Sequence, residues 1–477
     1  MVGRDKEQKE LLRRYRGNRA EFIAVYGRRR VGKTFLIDET FRDKITFRHA
    51  GLSPVEGKTS GQMKDQLEQF YYSLLKHGMK KSKRPADWLE AFFMLELFLQ
   101  EKDDGTRQVV FLDELPWLDT PRSGFITALE GFWNNWCCNR HNLMLIVCGS
   151  SSSWILDKLI HNHGGLYGRI TCEIKLAPFN LRESEELFQS NGVRLSRYDI
   201  TQSYMILGGI PYYLNYFEPG LSLAQNIDRL FFEKQAKLKD EYDCLFTSVF
   251  ESPDYMKKLV ETLSRRSMGY TRKEMIESGS FSEGTRLTDA LKALIAGDFV
   301  DRYIPFGYSK REIHYKLKDP FCCFWLHFLS APKGNASGYW QSIQETPRGN
   351  TWNGLAFEQV CFTHVDQIKA RLGISGIRTN ESAWTLKGME SAGTQIDLML
   401  ERGDNVINAC EIKFTAKEYR VDQAYYRLLL RRQELLRESV SQRKTIQNTL
   451  ITTFGLEYNE YSGIFSNVVT LEDLFKT

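Results

Sequence analysis

Short apolar runs alternating with longer helical patterns organise residues 21–175. "EFIAVYG", "QVVFLDE" and "NLMLIVCGS" read as buried strands, and each ends where a polar or glycine-containing loop begins. Strands separated by helices imply a parallel sheet covered on both faces, with ligands gathering beyond the strands' carboxyl ends. Residues 178–250 carry helical periodicity, opened at "NLRESEELFQ" by an asparagine cap. Between 253 and 320, three helical patterns ("YMKKLVETLSRR", "TRKEMIES", "SEGTRLTDALKALIAGDFV") precede a strand, a turn and a strand ("VDRYIPF", "GYSK", "EIHYKLKD"). That is the order of a winged helix-turn-helix. Residues 330–350 lack periodicity and are rich in Gly, Pro and Ser, so they read as a linker. Beyond them come a helix ("WNGLAFEQVCFTHVDQIKARLG"), two alternating runs around a Gly-Asp-Asn turn, and a charged helix from about Val421 to Glu438.

A chain of 477 residues is too long for one core. The pattern divides it into a parallel-sheet core (1–177), a helical lid (178–250), a winged helix-turn-helix (251–329), a linker (330–350) and a C-terminal α/β domain (351–477). The charged fraction of 26% and apolar fraction of 42% are those of an ordinary globular protein, and the net charge of +5 is small for this length. A nucleic-acid partner would therefore depend on local clustering. Over 253–320 there are thirteen Lys and Arg against ten Asp and Glu, a net +3, and Arg272, Lys273, Arg286 and Arg311 could face a duplex. The alternative is a unit that packs between domains and reads no DNA. The charged opening "MVGRDKEQKE" is no secretory signal, no apolar run reaches bilayer length, and nine cysteines without CxxC spacing suit a reducing cytosol. The expected location is cytoplasmic, with no membrane partner.

"GRRRVGKT", Gly27 to Thr34, satisfies GxxxxGK[ST] between a strand and a helix. Gly27 and Gly32 let the backbone of Arg28, Arg29, Arg30 and Val31 turn its N–H groups toward phosphate. Lys33 would contact the β- and γ-phosphates of ATP, and Thr34 would help hold Mg2+. About eighty residues on, "VVFLDELPWL" ends a strand in Asp113, placed to hold Mg2+ through water, and Glu114, placed to orient the attacking water. The two motifs together favour hydrolysis.

The runs flanking the Gly-Asp-Asn turn carry Asp397 on one side and Glu411 and Lys413 on the other. A two-residue turn would set Ile396 opposite Glu411 and mix apolar and charged residues on both faces. A three-residue loop, Gly403 to Asn405, sets Ile396 against Ile412, Leu398 against Cys410 and Asp397 against Glu411. The apolar pattern selects the second register. Two opposed carboxylates repel unless a cation lies between them, and Lys413 could supply part of that charge. A solvated polar face is the other reading.

On these motifs the chain resembles the archaeal-type ATPase family, a branch of the AAA+/STAND class whose members often end in a nuclease-like domain. "VGRDKE" resembles the family's GRxxE box, which implies that Gly3 and Arg4 lie near the adenine. "GSSSSWI" is similar to its sensor segment, which implies that Ser150 senses the γ-phosphate; a strand-end hydroxyl bonded to backbone is the alternative. "LYGRI" resembles the segment bearing an arginine finger, Arg169, which would require homo-oligomerisation through the ATPase core; a surface ion pair is the alternative. "LGGIPYYL" resembles the lid motif whose proline, here Pro211, lies against the nucleotide.

The C-terminal runs are similar to the PD-(D/E)xK nuclease core, of the restriction-endonuclease-like fold. The resemblance implies that Asp397 and Glu411 bind Mg2+, that Lys413 positions the hydrolytic water, that Glu358 of "LAFEQV" is a fourth member, and that Gln423 is a candidate on the following helix. The implied whole is an α/β multidomain protein: a Mg2+-dependent ATPase joined to a nuclease-like domain acting on DNA. The alternative is a STAND-like regulatory switch whose C-terminal domain binds nucleic acid or protein without cutting.

Overall fold

The computed structural model describes residues 1–53, 62–309, 311–330, 338–385 and 395–476. The chain packs as two compact units. One comprises Met1–Pro178, Asp243–Met256 and Asp289–Asp298; the other comprises Phe179–Tyr242, Lys257–Thr288 and Phe299–Thr477.

The first unit is built on five parallel strands: β1 (Glu21–Tyr26), β2 (Ile45–Ala50), β3 (Gln108–Asp113), β4 (Leu143–Gly149) and β5 (Cys172–Lys175), in the order β2-β3-β4-β1-β5. Every residue of β1, β3 and β4 is buried, which is why these three read as unbroken apolar runs. The edge strands "ITFRHA" and "CEIK" mix buried with partly or fully exposed positions and are not legible as strands from periodicity. Because β4 lies between β1 and β3, the loops that follow these two strands open on either side of its end.

In the second unit, helix Leu181–Ser190 starts on the Asn180 cap that "NLRESEELFQ" predicts, and Glu183 completes a capping box there. Helices Arg197–Leu207, Pro211–Leu214 and Leu223–Phe231 follow. Further along the chain come helices Pro253–Leu263, Arg272–Glu277 and Thr285–Ala296, matching the three expected patterns. Strands β6 (Tyr270–Thr271), β7 (Val300–Tyr303) and β8 (His314–Leu317) form an antiparallel sheet in the order β6-β8-β7.

Of the expected linker 330–350, residues 331–337 lie outside those described, and residues from 338 onward are largely helical rather than loose. Trp340 is buried in helix Tyr339–Ile343, and helix Pro347–Thr363 begins soon after. The Asp228 carboxylate accepts the Trp340 N–H at 2.7 Å, the Gln341 N–H at 3.2 Å and the Gln341 amide at 2.9 Å. Hydrogen bonds to a charged acceptor stabilise by about 1.5–3 kcal/mol each, which composition alone does not reveal.

A mixed sheet closes the chain: β9 (Thr379–Thr385), β10 (Gln395–Arg402), β11 (Val406–Lys413), β12 (Thr445–Thr452) and β13 (Asn467–Thr470), ordered β13-β12-β11-β10-β9. β9, β10 and β11 are antiparallel neighbours, whereas β12 and β13 run parallel to β11. The parallel step needs a crossover, supplied by helix Gln423–Ser439. All nine cysteines are free thiols. Among the described residues, no helix is long and apolar enough to cross a membrane.

The long helix expected over "WNGLAFEQVCFTHVDQIKARLG" is two helices, broken at His364 (φ −117°, ψ 29°). His364 is buried; its Nδ1 donates to the Val360 carbonyl at 2.8 Å, and its Nε2 accepts the N–H of Leu181 at 3.0 Å. That amide is one of the donors every helix start leaves unpaired. Burial pushes the imidazole pKa down to about 4. The unfolded chain therefore binds a proton that the folded one refuses, and this contribution to stability, complete above pH 6.5, is lost as pH falls toward 4. We expect His364→Ala to lower stability by about 1–3 kcal/mol at neutral pH. It should also flatten the fall in the urea midpoint between pH 6.5 and pH 4; an unchanged profile would exclude this role for His364.

Candidate functional site

The loop after β1 is shaped by its glycines. Gly27 has φ 146°, and a Cβ there would sit 2.3 Å from the Leu176 carbonyl oxygen. Gly32, at φ 90°, opens helix Lys33–Phe41 from the left-handed region. Arg30 also takes positive φ, whereas Arg28 and Val31 are buried and Arg29 is partly exposed. The Lys33 ammonium is buried and donates to the carbonyls of Gly27 and Arg28 at 3.0 and 3.1 Å, inside the curl of the loop. Burial pushes its pKa down, against the pull of Glu114 and Asp113.

Thr34 Oγ1 donates to Asp113 Oδ2 at 2.8 Å, so the two residues expected to hold Mg2+ already meet across the end of β4. Burial raises the Asp113 pKa, and the Thr34 hydrogen bond opposes that rise. Glu114 occupies the left-handed region at φ 46°, a strained place for a glutamate. Ser150, at the end of β4, donates its N–H to Glu114 at 3.1 Å and places its hydroxyl 2.9 and 2.8 Å from the two carboxylate oxygens. The serine expected to sense phosphate thus grips the glutamate expected to orient water. Arg4, preceded by Gly3 at φ 60°, is buried and donates to the Val31 carbonyl at 3.1 Å, tying the GR pair to the phosphate loop.

Two further residues were expected at the nucleotide. Arg169 follows a turn from Leu166 and is exposed. Pro211 belongs to the second unit, where it opens helix Pro211–Leu214.

In the mixed sheet, β10 and β11 adopt the register that the apolar pattern selects: Leu398 opposes Cys410, and Leu400 opposes Asn408. The loop is Gly403–Asp404–Asn405, with Asn405 at φ 65°. Asp397 and Glu411 lie just beyond the last paired residues. Asp397 Oδ2 accepts the Ile412 N–H at 3.4 Å, and its pKa is raised to about 6 by burial and by Glu411. The Glu358 pKa is raised to about 7 by burial and then by Asp397, with Lys316 of β8 and Lys413 opposing. Burial alone would raise Glu411 too, but Lys413 and Arg432 more than offset it and its pKa is lowered. Lys413 Nζ is 2.6 Å from Glu411 Oε1; Tyr425 donates to the same oxygen, and Arg432 pairs with Oε2.

Tyr425 and Arg432 escaped the sequence reading, which pointed to Gln423 on the same helix. Gln423 is exposed, whereas 425, 429, 432 and 436 share the helix face that carries the buried Leu429 and Leu436. That spacing was the available signal. Among the described residues, no three acidic, imidazole or thiol groups are gathered so as to hold one metal ion.

Arg272, Lys273 and Arg311 line a groove of about 510 Å³ with Tyr315, Ile276 and Ile313, but Glu277 and Glu283 line it too. Lys273 pairs with Glu277 at 3.5 Å and Arg272 with Glu283 at 3.9 Å. Arg286, exposed on helix Thr285–Ala296, does not line it.

Residues 1–217 match the family model for an ATPase domain found predominantly in Archaea. An uncharacterized protein of Methanocaldococcus jannaschii is 26% identical over 441 residues, covering 91% of this chain and 92% of its own length. Among solved structures, the chain is similar to a Walker-type ATPase of Pyrococcus abyssi, at 18% identity over 68% of this chain and 96% of that one, with a TM-score of 0.47. It is also similar to the ORC2 protein of Aeropyrum pernix in ADPNP–ADP complexes, at 12% identity over 68% and 93% of the two chains, with a TM-score of 0.40.

The raised Glu358 pKa gives a stability slope opposite in sign to that of His364. Between about pH 4.5 and 7 the folded protein holds a proton that the unfolded chain has released, so this contribution declines as pH rises through that window. In EDTA, Glu358→Gln should abolish that decline when thermal midpoints are compared with wild type; a parallel profile would show Glu358 to be ordinarily solvated.

Proposed function

We propose that the chain is a Mg2+-dependent ATPase whose nucleotide state gates a DNA-binding, nuclease-like domain built on the mixed sheet. The second half is supported by Glu411 paired with Lys413, by Asp397 at the facing register position just beyond the last β10–β11 pair, and by the charge of Asp397 acting on Glu358.

In the ATPase domain, Lys33 is poised to exchange the loop carbonyls for phosphate oxygens, and Arg4 braces the loop from behind. Thr34 and Asp113 fit Mg2+, since a hydroxyl and a carboxylate already meet where the ion would lie; when bound, it neutralises charge on the phosphates. Glu114 would orient the attacking water once Ser150 turns from it to donate to the γ-phosphate. Gly3, Pro211 and, from a neighbouring copy, Arg169 complete the nucleotide site in this reading. Arg272, Lys273, Arg286 and Arg311 of the winged helix would contact DNA.

Asp397 and Glu411 form a two-carboxylate pair that a divalent cation would suit, because burial and the Glu411 charge make ionisation of Asp397 costly, as burial and Asp397 do for Glu358. Asp397 and Glu411 would hold Mg2+ with Glu358 beside them, and the ion would supply Lewis acidity for phosphodiester hydrolysis. Lys413 would position the water.

Aromatic contacts support the gating. Tyr198, on the helix that leads into "LGGIPYYL", stacks on Phe414 at 4.7 Å, and Phe414 meets Phe357 at 5.2 Å. These two phenylalanines adjoin Lys413 and Glu358 in sequence. The non-cutting switch is favoured by one observation: Glu411 is already closed by Arg432, Lys413 and Tyr425.

Lys33→Ala should abolish ATP turnover, and Glu114→Gln should lower kcat by about 10²–10⁴ while leaving ATP binding intact. With linear, supercoiled and branched DNA plus Mg2+ and ATP, wild type should cut and the Asp397→Ala, Glu411→Ala double variant should not; equal cutting by both, or none by wild type, leaves the switch reading. Tyr198→Ala should keep wild-type ATP turnover yet lose the ATP dependence of cleavage.

A further inference from the structure

Both oxygens of Glu411 already have donors: Lys413 and Tyr425 on Oε1, Arg432 on Oε2. A divalent cation binds carboxylate lone pairs directly, so it can reach Glu411 fully only where a donor gives way. The charges around the cluster indicate which one. Three carboxylates (Glu358, Asp397 and Glu411) face three cations: Lys316 acting on Glu358, and Lys413 and Arg432 acting on Glu411. A dication entering this balanced set leaves excess positive charge at a poorly solvated place unless a resident cation withdraws.

Lys413 is fixed to the strand of Glu411, two residues away, and Lys316 belongs to β8 on the Glu358 side. Arg432 reaches Glu411 from the crossover helix on a long side chain that is 12% exposed. Of the two cations on Glu411 it is the less exposed, 12% against 31% for Lys413, but it is the one carried by a separate element, so it can withdraw without moving the strand that bears Glu411.

We propose that Arg432 is a resident counter-cation of Glu411, which holds the carboxylate in the absence of a divalent cation, competes with that cation for Oε2, and withdraws when it binds. The inference rests on the reading of Asp397 and Glu411 as metal ligands. Arg432 is then a positioning residue: it keeps Glu411 ionised and aimed, and it sets the divalent concentration at which the cluster loads.

The test is calorimetric titration of the full chain with Mn2+, without nucleotide, for wild type, Arg432→Gln, Arg432→Lys and Asp397→Asn. Wild-type binding that Asp397→Asn removes supports the metal site independently of Arg432. Arg432→Gln should then bind Mn2+ at least about tenfold more tightly, because a unit charge a few ångströms from the ion is gone, and Arg432→Lys, which keeps the charge, should stay near wild type. Equal or weaker binding by Arg432→Gln overturns the counter-cation role and leaves the metal site standing. Absence of any Asp397-dependent binding overturns both. Arg432→Gln should also melt below wild type in EDTA and recover in saturating Mn2+. A deficit that persists in Mn2+ marks a purely structural ion pair, and the proposal fails.

Discussion

Burying charge is costly unless a partner comes with it, and that constraint shapes both candidate sites. Lys33 is buried against two carbonyls of its own loop, and Asp113 beside it is answered by the Thr34 hydroxyl. Glu411, buried in the mixed sheet, is answered by an ammonium, a guanidinium and a phenol. Each arrangement satisfies its charges with side chains or backbone, which under the proposed function a phosphate or a cation would replace. A site that must release its own partners to receive a ligand stays folded before the ligand arrives, and couples binding to local rearrangement.

Topology decides which groups can meet. With β4 between β1 and β3, Ser150 at its end lies where it can hold Glu114, while Thr34 and Asp113 reach each other across it. In the second unit the helix Arg197–Leu207 contacts the mixed-sheet segment through Tyr198, which stacks on Phe414 and Phe454. His364 adds a buried hydrogen bond to the start of the neighbouring helix. The helical segment and the C-terminal sheet therefore share a packed surface, with polar and aromatic contacts between them.

Legibility in the sequence followed the range of the interaction responsible. β1, β3 and β4 were plain because central parallel strands are apolar throughout, while β2 and β5 were missed because edge strands mix polar with apolar positions. The Asn180 capping box was readable from residues three apart. The break at His364 was not, and the amide its imidazole accepts lies 183 positions away in the chain. The linker reading of 330–350 rested on composition and missing periodicity, whereas the carboxylate that accepts hydrogen bonds from Trp340 and Gln341, Asp228, lies more than a hundred residues upstream.

The hairpin of β10 and β11 shows the division most clearly. Its register was determined by the sequence alone, since only a three-residue loop keeps the apolar face apolar, and the pairing of Leu398 with Cys410 follows. The same local pattern put Asp397 and Glu411 at facing positions. What neutralises them was decided by tertiary structure. Arg432 and Tyr425 arrive on a helix whose crossing over the sheet depends on the burial of Leu429 and Leu436, and Lys316 arrives on a strand almost a hundred residues before Glu411. Periodicity records which face of an element is wet. Which charges meet there depends on how whole elements pack, and no short window of residues contains that information.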